Sequence, residues 1–101
     1  MSSQNQKTTN PAHLIQEQLG THIAIALKYP FKNGVGEMVS EVKMRRAKVG
    51  DLRAVGQMKN EMEQELALFA RLTSLVPEDL DLLDQVDYKQ IQDTFRKFSE
   101  L

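Results

Sequence analysis

The sequence predicts an α+β fold, an N-terminal β-hairpin followed by three or four short helices packed on one face. Apolar and polar side chains alternate in residues 22–29 and 38–45, as is typical of half-buried strands. From residue 51 onward, apolar side chains recur every three or four residues, which indicates amphipathic helices. An isolated hairpin is barely stable, so its apolar face needs those helices against it.

Length and composition place this fold in one domain, which we assign to residues 21–101. Residues 1–20 are predicted to be mostly a disordered tail, because the first nine consist almost entirely of Ser, Gln, Asn, Thr and Lys. The longest apolar run, Ile23 to Leu27, is far shorter than the roughly 20 residues of a membrane-spanning helix. We therefore expect a soluble protein with no membrane contact.

A short helix is predicted within the tail, at residues 10–19. Asn10 is a suitable N-cap, Pro11 suits the first helical position, and Gly20 suits the C-terminal stop. A helix this short forms only if its apolar side docks on something. That apolar side consists of Leu14, Ile15 and Leu19.

The hairpin register can be predicted from the turn. Asn33-Gly34 is a typical two-residue hairpin turn, and Pro30 is expected to end the first strand because proline cannot donate to a sheet ladder. A slip of one residue would move the apolar side chains to the opposite face, and Gly36 could add a bulge. The predicted pairs are Ile23 with Met44, Ile25 with Val42, and Tyr29 with Met38.

Capping residues and apolar spacing define the helices. The first is predicted from Asp51 to Met58, and the second, the central helix, runs from an N-cap at Asn60 to about Leu75. Pro77 opens a short acidic turn or helix, in which Leu80 and Leu83 face inward. Asp87 is the predicted N-cap of the last helix, with Gln90 at the capping-box position. Its apolar stripe comprises Tyr88, Ile91, Phe95, Phe98 and Leu101.

The residue inventory argues against catalysis and against a metal or cofactor. There is no Cys, and His13 and His22 lie in different segments without a second ligand at metal spacing. Neither Ser40 nor Ser74 has a His nearby in sequence to act as a base. We therefore expect a protein that is not an enzyme.

One basic segment could instead make electrostatic contacts. The chain has thirteen basic and fourteen acidic residues, so it is not basic as a whole. No aromatic residues interleave with the basic segment. For these two reasons we do not expect nucleic-acid binding. We favour a solvated strand end, or pairing with the acidic residues Glu78, Asp79, Asp81, Asp84 and Asp87. The basic segment and these acidic residues, which carry opposite charges, could also orient a partner or a second copy of the chain. The basic segment comprises Lys43, Arg45, Arg46, Lys48 and Arg53.

The apolar arc around the central helix is wider than one packing face requires. Met is adaptable and recurs at surfaces that bind varied apolar segments, although filling gaps in a small core is the commoner role. The candidate partner-binding residues are Met58, Met62, Phe69 and Leu72.

The order of several short segments resembles the tail assembly chaperones of Mu-like temperate bacteriophages, over roughly residues 22–98. The chain departs from the family pattern at Ala47, where Pro is typical, and at Lys48, where a capping Thr is typical. The segments are LKYP (Leu27 to Pro30), Arg45-Arg46, DLRA (Asp51 to Ala54), ELALFARLTSL (Glu65 to Leu75), Pro77, and Leu83, Asp84, Asp87 and Tyr88.

The resemblance implies a non-catalytic holdase that binds the tape measure protein before tail tube polymerisation. It implies action in the host cytoplasm during phage assembly and absence from the mature virion. In related phages a longer, frameshifted form recruits the tail tube protein. Two alternatives stay open at this point, namely a small nucleic-acid-binding regulator that uses residues 43–53 and a structural tail component.

Overall fold

The computed structural model describes residues 22–100, which form a two-stranded antiparallel sheet followed by four helices. This arrangement confirms the predicted α+β fold. The predicted tail, its helix at residues 10–19, and Leu101 lie outside the described residues. The elements are β1 (His22–Lys32), β2 (Met38–Arg45), α1 (Val49–Val55), α2 (Glu61–Thr73), α3 (Pro77–Leu80) and α4 (Gln85–Phe98).

The hairpin register is confirmed at its open end and wrong near its turn. Ile23 pairs with Met44 and Ile25 with Val42, as predicted. Met38, however, pairs with Lys32 rather than with Tyr29.

A longer turn and a compensating bulge explain the difference. The Gly36 N–H donates to the Asn33 carbonyl over 3.0 Å, and the only positive φ in the turn, 84°, belongs to Gly36. The turn therefore takes more than the two residues Asn33 and Gly34. An irregularity between Ala26 and Phe31 absorbs the extra residues and restores the predicted pairing beyond it. Pro30 lies inside this bulge, so β1 continues past it instead of ending there.

The bulge also changes which side chains face the core. Val39 packs against the core, whereas Met38 is 63% exposed and Tyr29 also reaches the surface. Ile25 and Val42, beyond the bulge, are buried as predicted.

The core lies where α2 and α4 cover the apolar face of the hairpin. Its centre is Phe69, whose ring lies 5.7 Å from that of Tyr88 and 5.5 Å from that of Phe95. Tilted aromatic pairs of this kind are each worth about 0.5–1.5 kcal/mol beyond the area they bury. The predicted stripe of the last helix is thus inward-facing in its described members. The other large core side chains include Met44, Leu72, Leu80, Ile91 and Phe98.

Two of the predicted helix starts need correction. Asn60 caps α2 as predicted, its side chain accepting the Glu63 N–H. α1 begins at Val49 rather than at Asp51, because Asp51 stands in the first turn and accepts the Lys48 N–H. The N-cap of α4 is Asp84, which accepts the Val86 N–H, and Asp87 lies one turn inside the helix.

Candidate functional site

A buried carboxylate joins the hairpin to two helices. Asp51, 3% exposed, accepts two parallel hydrogen bonds of 2.8 Å from the Arg45 guanidinium. It also accepts the Arg71 Nε–H over 3.1 Å and the Lys48 N–H over 2.8 Å. We call these four residues the Asp51 cluster. The Arg45 hydrogen bonds are the main reason that the pKa of Asp51 lies well below its usual range, and they also raise the pKa of Arg45.

A second buried carboxylate fastens α4 to the bulge of β1. Asp87 is fully buried, and its two oxygens accept the backbone N–H groups of Lys28 and Tyr29 over 2.7 and 2.9 Å. Gln90, one turn further along α4, donates to the same carboxylate over 2.9 Å. The bulge removes these two amides from the strand ladder, so Asp87 supplies the acceptors that the neighbouring strand does not.

The basic segment divides between these structural contacts and the surface. Arg45 is held in the Asp51 cluster, and the Arg46 guanidinium lies 5.6 Å from the centre of the Phe98 ring. Within residues 22–100, no ion pair joins the segment to the acidic residues that we considered as partners. The exposed members are Arg46, Lys48, Lys43 and Arg53.

The four candidate partner-binding residues occupy different depths. Met62 is 61% exposed and Met58 is also at the surface, whereas Phe69 and Leu72 are only 1% and 2% exposed. Phe69 packs against Tyr88 and Phe95 of α4, so it could touch a partner only if that helix moved away. The candidate set is therefore not one continuous surface in this structure.

Met62 lies on the rim of a concave surface between the N-terminal ends of α2 and α4, which we call the methionine cleft. Its volume is about 660 Å³, and Val86, 49% exposed, lines it together with Met62. Tyr88 in its wall donates its hydroxyl proton to Glu65 over 2.7 Å, and burial is the main reason that the pKa of Tyr88 is raised. The remaining lining side chains are Asp84, Gln85, Lys89 and Gln92.

Sequence reasoning missed Val86 because it lies outside the three-and-four spacing of the α4 stripe. The available signal was an apolar residue just after the helix start, on a face that the stripe does not cover. That signal is weak, because single exposed apolar residues are common on soluble proteins.

A second apolar concavity runs between α1, α2 and α4, and we call it the α1–α4 groove. It consists of two adjoining clefts of about 470 and 190 Å³ that share Leu52 and Phe95. Glu61 and Glu65 lie at one end and Arg46 at the other. Leu52 is 49% exposed, so the groove presents an apolar surface in the described part of the chain.

Among residues 22–100 there is no group of three or more His, Cys, Asp or Glu side chains placed to hold a metal ion. In the same region, no helix is both long enough and apolar enough to cross a membrane.

The segments that carry the family resemblance meet in the two carboxylate networks. Arg45, the DLRA segment and the central helix contribute to the Asp51 cluster, while LKYP forms the bulge that Asp87 holds. These residues are therefore used to build the fold, and the exposed apolar surfaces lie beside them.

Comparison with known proteins identifies the family of this chain. The family model described as phage tail assembly chaperone proteins, E, or 41 or 14, matches residues 24–100. No curated protein and no solved structure matches the chain. The match covers β1 from its third residue, all of β2 and all four described helices, and the chain therefore belongs to the phage tail assembly chaperones, a non-catalytic family of virion morphogenesis.

Proposed function

We propose that this chain is a holdase that binds an apolar helical segment of the tape measure protein and keeps it soluble until the tail tube polymerises. Membership of the chaperone family supports a tail protein as partner. A holdase needs apolar, adaptable side chains at its surface and no reactive group. It acts in the host cytoplasm during assembly and is absent from the finished virion.

The methionine cleft is the observation on which the proposal rests. Met62 and Val86 are exposed without any rearrangement of the core, and both line the same concave surface. Apolar side chains one helical turn apart on a partner helix would contact Met62 and Val86 in the cleft. Phe69 lies behind the cleft wall, against Tyr88, and so supports its shape. Met58 is the second exposed methionine of the proposed surface.

The exposed basic side chains supply the electrostatic part of the proposal. Lys43, Lys48 and Arg53 are not engaged by the carboxylate networks through their side chains, and they would meet acidic residues at the edges of the bound segment. Charges at the rim of an interface mainly affect the association rate and the orientation of the partner. A longer form of the chain that also binds the tail tube protein belongs to the same proposal, as does self-association.

Co-expression with the tape measure protein tests the proposal. Met62→Lys places a charge in the cleft, so we expect the tape measure protein to shift from the soluble fraction to the pellet. Met38→Lys is the matched control, because Met38 is equally exposed but lies on the hairpin. It should protect the tape measure protein as well as the unchanged chain does.

Two outcomes would contradict the proposal. One is a tape measure protein that stays soluble without this chain. The other is equal protection by Met62→Lys and the unchanged chain, which would exclude the cleft. Salt-dependent retention on DNA, with no tape measure binding, would favour a nucleic-acid regulator instead.

A further inference from the structure

We infer that two copies of this chain pair through the α1–α4 groove, in a two-fold symmetric dimer in which the grooves lie antiparallel against each other. The inference gives a surface and a symmetry to the self-association included in the proposed function, and it rests on that part of the proposal alone. The tape measure protein is assigned to a different surface, the methionine cleft. Two observations support the inference: an accessible apolar centre of the groove, and charges of opposite sign at its two ends.

The centre of the groove is apolar and accessible. Leu52 and Phe95 line both of its clefts, so they mark the centre. Leu52 is 49% exposed, whereas Val55, one turn further along α1, is buried in the core. Leu52 therefore makes only part of the apolar contact that its side chain can make. A second apolar surface over the groove would bury the rest, and burial of this kind drives most protein–protein association.

The charges make the groove complementary to itself. Arg46 lies at one end, and Glu61 and Glu65 lie at the other. A rotation of 180° about the centre places the Arg46 end of one copy against the Glu61 end of the second copy, and it does so at both ends of the groove. In a two-fold contact both copies use the same surface patch, so that patch must be its own complement. The groove meets this requirement, which is why we assign it to a second copy of the chain.

Arg46 and Glu61 are available for such a contact. Both are exposed, and within the described residues neither takes part in an ion pair. Glu65 instead accepts hydrogen bonds from the Tyr88 hydroxyl and the Gln92 amide, over 2.7 and 2.9 Å. Glu61 is therefore the acidic residue that we pair with Arg46 of the other copy. These rim charges fix the orientation of the two copies, while the apolar centre supplies most of the affinity.

Two charge reversals test the inference by sedimentation equilibrium of the full chain. Arg46→Glu places like charges opposite each other at both ends of the dimer, and Glu61→Arg does the same. Each variant alone should therefore dimerise at least about tenfold more weakly than the unchanged chain. An equimolar mixture of the two variants should dimerise about as tightly as the unchanged chain, because each end of the mixed dimer again joins opposite charges. A variant that had merely lost its fold would not recover in the mixture.

Lys43→Glu and Glu63→Arg are the matched controls. They make the same changes of charge at exposed positions of β2 and α2 that do not line the groove. Neither control should change dimerisation. Met62→Lys, which tests the methionine cleft, should also leave dimerisation unchanged, so tape measure binding and the dimer can fail separately.

Three results would overturn the inference. One is an unchanged chain that stays monomeric at concentrations up to about 1 mM, where even weak association is measurable. Another is a dimer that both charge reversals leave intact, which would place the contact on another surface. The third is a mixture of the two variants that associates as weakly as each variant alone, because Arg46 and Glu61 would then not meet between copies.

Discussion

At the scale of single residues, two aspartates connect the hairpin of this small domain to its helices. Asp51 and Asp87 are both buried, and each makes at least three hydrogen bonds. A buried carboxylate is costly unless its oxygens are fully partnered, so each position requires its particular donors. Loss of either carboxylate leaves buried donors without an acceptor.

Replacing Asp51 tests the first of these networks. Asp51→Asn should lower the free energy of unfolding by about 3 kcal/mol, because it leaves the Arg45 guanidinium without its carboxylate partner. Arg71 is about half exposed, so water screens its share of the loss. Urea denaturation at pH 7 measures the effect. Asp81→Asn, at an exposed position, is the control and should change stability by less than about 0.5 kcal/mol.

The same network predicts a pH dependence of stability. The pKa of Asp51 is lower in the folded chain than in the unfolded chain, where it is about 3.9. Its contribution is therefore fully present above that value and is lost as the pH falls below it toward the folded pKa. Unfolding free energies measured from pH 7 down to pH 2 should fall less steeply in Asp51→Asn than in the unchanged chain. Equal slopes would show that Asp51 does not carry this dependence.

At the scale of secondary-structure elements, the bulge of β1 and the start of α4 depend on each other. The sequence predicts both strands, the Asn60 cap and the Pro77 start from local patterns, and the structure confirms them. It does not predict the role of Asp87, because the amides that this carboxylate accepts lie 58 and 59 residues away in the chain. Asp84 and Asp87 are equally plausible caps when only local sequence is considered.

The hairpin turn shows the same limit of prediction from local sequence. Asn33-Gly34 and the nearby Gly36 are both acceptable places for a positive φ, and only the structure shows that Gly36 takes it.

The candidate site was predictable only in part. Met62 followed from the apolar excess on the central helix, but the burial of Phe69 depends on where Tyr88 and Phe95 of α4 pack.

A pair of substitutions separates the two aspartates of α4. Asp84→Ala removes an exposed N-cap and should cost about 1 kcal/mol. Asp87→Ala should cost roughly 2–4 kcal/mol, because it leaves the Lys28 and Tyr29 amides without acceptors. Amide hydrogen exchange at Lys28 and Tyr29 should accelerate in Asp87→Ala only. Similar losses in the two variants would mean that the bulge does not need the buried carboxylate.

At the scale of the whole molecule, the question is whether the chaperone opens to bind. Its hairpin is covered by α2 and α4, and its total stability is expected to be about 5–15 kcal/mol. Moving α4 away to expose Phe69 would break the contacts of Phe69 with Tyr88 and Phe95 and the Asp87 hydrogen bonds together. The methionine cleft, by contrast, is accessible on the folded surface.

Binding is therefore expected to leave the domain closed. If the tape measure protein binds at the methionine cleft as we propose, amide exchange should slow at Met62 and Val86, and the α4 amides around Ile91 and Phe95 should stay as protected as in the free chain. Hydrogen exchange on the full complex measures both, and the free chain is the reference. Faster exchange throughout α4 in the complex would reverse this expectation. It would mean that α4 detaches on binding and that the surface which holds the partner includes Phe69, which α4 covers in this structure.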